Sequence, residues 1–161
     1  YTESGDAHKG DVVNFIPPQK AGDLAQRAGL TNNDGWCFVN QRTFESKTYK
    51  DIHVIGDACI AGKMPKSGFA ANSQGKVCAA AIVTSLRGTD LPDPSYVNTC
   101  YSLVAPDYGI SVAAVYRFSE KQGIYKSGGG VSPMDVDARY RAQEARYARG
   151  WYDSITQDSF G

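Results

Sequence analysis

Residues 52–83 read IHVIGDACIAGKMPKSGFAANSQGKVCAAAIV, and the reading of this stretch decides the fold. Ile52-His53-Val54-Ile55 is β-branched at three of four positions, which predicts a short buried strand. It runs into Gly56-Asp57-Ala58 and a loop through Met64-Pro65-Lys66. Ser67 is a favourable N-cap, so a helix is expected from there to about Leu86, with Gly88 beyond its end. The first half of that helix carries Gly68, Ala70, Ala71, Ser73 and Gly75. A helical glycine costs roughly 1 kcal/mol relative to alanine, so these small residues predict a close approach to the helix backbone. The second half, VCAAAIVTSL, is apolar nearly all round and predicts burial, with Cys78 filling space.

An acid at the end of a strand, followed by a helix start, is the ligand-binding geometry of open α/β sheets. The Asp57 carboxylate can accept two hydrogen bonds from a polyol. The helix start offers unpaired N–H groups and about half a positive charge. Sugar hydroxyls at one end of a ligand and an electron-rich carbonyl edge at the other would suit the two features, and a flavin dinucleotide has both. A Gly-Asp-Ala tripeptide by itself equally well caps a turn.

Upstream, DVVNFI at 11–16 predicts a strand ended by Pro17-Pro18. Ala21, Leu24, Ala25 and Ala28 follow helical spacing, with Gly29 as the stop. Residues 35–39 read as a strand edge and 41–50 as a polar hairpin or loop. Downstream, TDLPDPS at 89–95 is linker-like. Strands are expected at 100–105 and 110–118, a flexible turn at Gly128-Gly129-Gly130, and a last helix from Pro133 or Asp135 to Tyr152. Tyr140, Glu144, Tyr147 and Trp151 form one stripe on that helix, a pattern that usually marks core. Its acids come early and Arg139, Arg141, Arg146 and Arg149 come late, which suits the macrodipole.

The bulk composition is that of a folded protein, with 42% hydrophobic and 21% charged residues. Lys+Arg and Asp+Glu both number 17, so there is no basic field to favour nucleic acid. No apolar run approaches the ~20 residues of a membrane span. The four cysteines, at 37, 59, 78 and 100, form no CxxC, and His8 and His53 lie away from them, so no metal site is expected.

VIGDA with MPKSGFAANSQGKVCAAAI resembles the FAD-binding return segment of the glutathione-reductase-like flavoproteins. More narrowly, the chain resembles the flavoprotein subunit of flavocytochrome c sulfide dehydrogenase. DVVNFIPPQKAG, GWCFVNQRTFES, PSYVNTCYSLVAPDYGISVAAVYR and ARGWYDSITQDSFG carry this narrower likeness. The implied fold class is α/β and α+β: the C-terminal part of a two-dinucleotide-binding-domain flavoprotein plus a small α+β C-terminal domain. The implied boundaries are 1–50 for the end of the second dinucleotide-binding domain, 51–90 for the FAD-domain return segment, and 91–161 for a flavin-proximal, cytochrome-facing domain. The start, YTESGDAHKGDVV, accordingly reads as internal, and no GxGxxG fingerprint is present.

The resemblance implies site residues too. Gly56, Asp57 and Ala58 match the segment that grips the flavin ribityl chain. Met64, Pro65, Lys66 and Ser67 match the loop against the isoalloxazine, and Trp151 would border the ring. Lys66 is equally readable as a solvated surface lysine. Cys100 matches one half of the family's redox-active disulfide, its partner expected upstream of these residues. Cys37 and Cys59 match no redox role, although Cys59 stands close to Asp57. The implied activity is oxidation of sulfide, with electrons passed through FAD to the haem of a c-type cytochrome subunit. The remaining N-terminal portion of the flavoprotein would be needed for activity, and the bacterial periplasm is the implied location. Rival readings are a sulfide:quinone reductase or type-2 NADH dehydrogenase-like flavoprotein and a non-catalytic cytochrome-docking module. The first needs a membrane-binding amphipathic C-terminus, and the arginine-rich end here lacks a strong apolar face.

Overall fold

The computed structural model of the chain describes residues 3–161; Tyr1 and Thr2, at the start of the expected 1–50 segment, lie outside them. Its framework is a three-stranded antiparallel sheet in the order β1-β2-β3, with β1 at Ser95–Ala105, β2 at Tyr108–Ser119 and β3 at Gly123–Val131. The architecture is a small α+β one. Strand residues alternate between faces. Tyr96, Asn98, Ala114, Tyr116 and Ile124 are buried on one face, where the apolar members of this set pack with Phe44, Cys59, Met64, Ala70 and Cys78. Phe44 meets Tyr96 edge-on at 5.9 Å between ring centroids.

The helix α3, Ala138–Phe160, packs mainly on β2, at the opposite face. It starts where Asp137 accepts a 2.8 Å hydrogen bond from the Tyr140 N–H, a side-chain N-cap. At Gly109 the strand and helix backbones nearly touch: a Cβ there would lie 2.5 Å from the Ala145 nitrogen. Beneath α3 sits a buried ion pair, Arg141 with Glu144 at 3.2 Å. Glu144 also accepts from the Ser111 hydroxyl at 2.9 Å and the Ser132 hydroxyl at 2.5 Å, so its charge is compensated within the fold. Tyr140 and Tyr147 are 43% and 57% exposed, so the anticipated stripe is not a continuous core face.

The helix α2, Gly68–Arg87, has the expected ends: the Ser67 hydroxyl accepts from the Ala70 N–H, and Gly88 closes the helix at φ 65°. Its second half is not buried all round. Ala70, Gln74, Cys78 and Ala81 face inward, while Ile82, Val83 and Leu86 are exposed. Only one side meets the core, so the apolar residues of the other side have nothing among the described residues to pack against.

Several local expectations are corrected. Residues 11–16 form no strand, and Val12, Phe15 and Ile16 are exposed, because no described segment pairs with them. The upstream helix shrinks to α1, Asp23–Arg27. Residues 35–39 and 52–55 make isolated bridges instead of strands: Cys37 pairs with Thr31 and Cys59, Val39 with Ser46, and His53 with Glu45. Ile52 and Ile55 are exposed, so the β-branched run is not the buried strand its composition suggested. The glycines 128–130 belong to β3. There, a Cβ at Gly129 (φ 148°) would sit 2.3 Å from the Ala113 carbonyl oxygen, so glycine serves close strand contact.

The tight seam between β2 and α3 gives a prediction. Gly109→Ala should destabilise the protein by about 2–3 kcal/mol, because the added methyl meets backbone rather than a movable side chain. Urea unfolding measures it; a loss within about 0.5 kcal/mol would contradict the packing described.

Candidate functional site

The segment 56–67 is shaped by its backbone. Gly56 takes φ 71° and opens a single 3-10 turn, Gly56–Ala58. Its N–H donates to the buried side-chain carbonyl of Gln74 at 2.7 Å, which ties the turn to α2. The Asp57 carboxylate is exposed and accepts no hydrogen bond from any described residue, so it is available to an external donor. The Lys66 ammonium donates to the carbonyls of Asp57 at 2.5 Å and Cys59 at 3.1 Å. It also lies 3.8 Å from the centroid of the Trp36 ring. Lys66 therefore braces the loop, which is more than a solvated surface lysine does. Met64 is buried in the core and Pro65 is half-buried.

At the start of α2 the Ser67 cap leaves the N–H groups of Gly68 and Phe69 without intrahelical partners. A Cβ at Gly68 would meet nothing within 4 Å, so the side-chain position at the first residue of α2 is open space. Further along, Ile55 supplies the close neighbour that the small residues suggested, at 3.4 Å from a Cβ built on Gly75. A cavity of about 600 Å³ runs along this side, lined by Ile55, Gly68, Ala71 and Gly75, with Lys76 and Asp158 paired at 2.6 Å on its border.

The same helix start is joined to Cys100. The Ser67 hydroxyl donates to the Asn98 side-chain oxygen at 2.5 Å, and the Asn98 amide donates to the Cys100 sulfur at 3.3 Å. Cys100 continues the Tyr96–Asn98 face of β1 just past the edge of the core. It borders a cavity of about 620 Å³ with Ser102, Ile110, Val112 and Val131. Trp151 lies on the other face of β1, stacked on Phe69 at 5.8 Å and 8° and near Tyr101 at 5.9 Å. The structure thus gathers Asp57, Lys66, Ser67 and Cys100 about the start of α2, and sets Trp151 behind it.

Asn98, Gln74 and Phe69 connect these groups, and sequence reasoning passed over all three. Asn98 had one readable signal, its position two residues before Cys100 on the same strand face. Gln74 had none, since a polar residue in a helix reads as solvent-facing.

This arrangement fits a flavin in its donor chemistry. It presents an exposed carboxylate for polyol hydroxyls, helix-start N–H groups without intrahelical partners for an electron-rich ring edge, and an exposed thiol linked to that helix start through Asn98.

The thiols divide sharply. Cys37, Cys59 and Cys78 are buried, and Cys100 is exposed. Burial pushes the Cys59 thiol up to about 11, against the lowering influence of the Lys66 charge. Cys37 is raised by burial, again opposed by Lys66, and Cys78 by burial alone. A raised thiol favours folding while it is protonated in both states, and that advantage disappears as pH climbs to the folded-state value. Stability should therefore fall as pH rises from the ordinary 9.0 to about 11. Stepped-pH denaturant unfolding should show a shallower fall for Cys59→Ala, by up to roughly 2 kcal/mol. Parallel curves would contradict the burial assignment.

Residues 92–160 match the family model described as flavocytochrome c sulphide dehydrogenase, flavin-binding. The match takes in the whole sheet, Asn98, Cys100, α3 and Trp151; the 56–67 segment lies before it.

Proposed function

We propose, on the match of residues 92–160 to the model described as flavocytochrome c sulphide dehydrogenase, flavin-binding, that the chain is part of an FAD-dependent sulfide dehydrogenase that reduces a c-type cytochrome. The observation that supports this reading is the Ser67–Asn98–Cys100 connection, which links the exposed Cys100 to the N-cap of α2 through one buried side chain. FAD, when bound, supplies a two-electron acceptor able to release electrons singly to haem on the cytochrome subunit.

The chain's own residues have separable tasks. Asp57 accepts hydrogen bonds from the ribityl hydroxyls. The N–H groups of Gly68 and Phe69, at the positive end of α2, would stabilise negative charge on the pyrimidine edge of a bound flavin. Trp151 supports Phe69 from behind. Lys66 holds the loop between Asp57 and α2. Cys100 forms a disulfide with a cysteine outside these 161 residues. Hydrosulfide attacks the outside sulfur, a new S–S bond forms there as a persulfide, and the old bond breaks with its electron pair leaving on Cys100 as thiolate. A disulfide that cycles in this way belongs in an oxidising compartment such as the bacterial periplasm.

Peptide mapping of the non-reduced full-length protein tests the assignment. The expected result is Cys100 bridged to a cysteine outside this stretch, with Cys37, Cys59 and Cys78 recovered as free thiols. Recovery of Cys100 as a free thiol, or joined to one of those three, would overturn it. Cys100→Ser should lower sulfide-dependent reduction of a c-type cytochrome by about a hundredfold or more.

A further inference from the structure

We infer that Asn98 is a positioning residue for Cys100: its amide N–H, held in place by Ser67, orients the sulfur and stabilises it as the departing thiolate. This rests on the redox reading of Cys100 proposed above.

The hydrogen-bond directions follow from the groups themselves. The Ser67 oxygen uses a lone pair to accept from the Ala70 N–H, which leaves its proton to donate elsewhere. That proton goes to the Asn98 side-chain oxygen at 2.5 Å. The Asn98 NH₂ is then turned toward Cys100, 3.3 Å from the sulfur. Asn98 is only 3% exposed, so water does not compete for its amide and the side chain cannot swing away without losing both bonds. Cys100 itself is exposed. A buried donor thus supports a sulfur whose other side is open to attack.

Such a donor matters when the disulfide opens. Thiol–disulfide exchange speeds up as the leaving sulfur becomes a better-stabilised anion. The Asn98 N–H offers that stabilisation on Cys100, so cleavage is directed: hydrosulfide adds to the outside sulfur, and the electron pair of the broken bond departs on Cys100. The side-chain oxygen of Asn98 remains engaged by Ser67, so the amide keeps its orientation through the step. The Ser67 bond also makes the sulfur's position dependent on the start of α2, the element assigned above to the flavin.

The test uses the full-length protein, reduced and then freed of reductant. Iodoacetamide is the probe, and mass spectrometry follows alkylation of the Cys100 peptide from about pH 6 to 10. Asn98→Asp keeps the shape but replaces the donor with a like charge; Asn98→Leu keeps the approximate shape with neither. The expected order of Cys100 alkylation rate near neutral pH is Asn, then Leu, then Asp, with Asp slower by about tenfold and its pH–rate profile moved to higher pH. A purely structural role for Asn98 would change the melting temperature without moving that profile. Should one variant fail to fold, the other still decides, and Ser67→Ala supplies a third comparison with a smaller shift in the same direction. Superimposable profiles in any folded variant at position 98 would overturn the inference. The disulfide map of the unaltered protein reports separately on the redox role of Cys100, so failure of that role and failure of Asn98 to act on the sulfur appear in different measurements.

Discussion

The hydrogen bond between the Ser67 hydroxyl and the Asn98 side chain joins the two halves of the site, and the rest of the geometry depends on it. Ser67 belongs to the loop-and-helix segment and Asn98 to the sheet, 31 positions apart. Asn98 is buried, so its amide must be satisfied internally, and losing one partner would leave a desolvated polar group at a cost of about 1–3 kcal/mol. The pairing therefore fixes where α2 begins relative to β1. A second bond, from the Val97 N–H to the Ser73 hydroxyl at 3.2 Å, repeats the attachment along the same strand edge. With α2 held at two points, its first turn and Cys100 are both tied to the middle of β1.

Much of the fold downstream of Ser67 was readable because local chemistry there is unambiguous. A serine cap, a glycine in the left-handed region at Gly88 and an alternating pattern in ISVAAVYRF each admit one main interpretation. The segments 11–16, 35–39 and 52–55 were misread for a common reason. Branched apolar residues report a preference for extended backbone, but a strand exists only where a neighbour completes its ladder. Isolated bridges are what remains where such neighbours are short. Glycines 128–130 were misread from the other side: an apparent turn signal is a strand in which a side chain at Gly129 would strike Ala113 and Ala114. Helix α2 shows the same limit, since a run apolar on every side does not reveal that only one side meets the core.

The site was legible in its chemistry and illegible in its connections. Asp57, Ser67 and Cys100 announce themselves as an acid, a cap and a thiol. What joins them is carried by Gln74, Asn98 and Phe69, whose residue types are common in any chain. Gln74 is the clearest case. Its buried amide accepts from the Gly56 N–H and lies 3.7 Å from the Cys59 sulfur and 3.9 Å from the Met64 sulfur. It thus holds the turn carrying Asp57 from within, a task that no spacing rule encodes. Trp151 illustrates the converse. The family resemblance implied that it borders the flavin ring, and its own stacking partner in the fold is Phe69 in the first turn of α2.

The four cysteines show how one residue type is given opposite characters by its surroundings. Cys37 and Cys59 face each other across a parallel bridge, yet both are enclosed, and burial outweighs the nearby Lys66 charge in each. A thiol held protonated is a poor nucleophile and behaves as a small apolar side chain. The Lys66 ammonium lowers both thiols, but burial is the larger influence on each. Cys100 differs in two respects at once: its sulfur is open to solvent, and a buried amide donates to it. Access and anion stabilisation usually oppose each other, since the burial that sharpens a hydrogen bond also excludes the reagent. Placing the sulfur just past the edge of the core, with its donor just inside, satisfies both requirements on adjacent positions of one strand face.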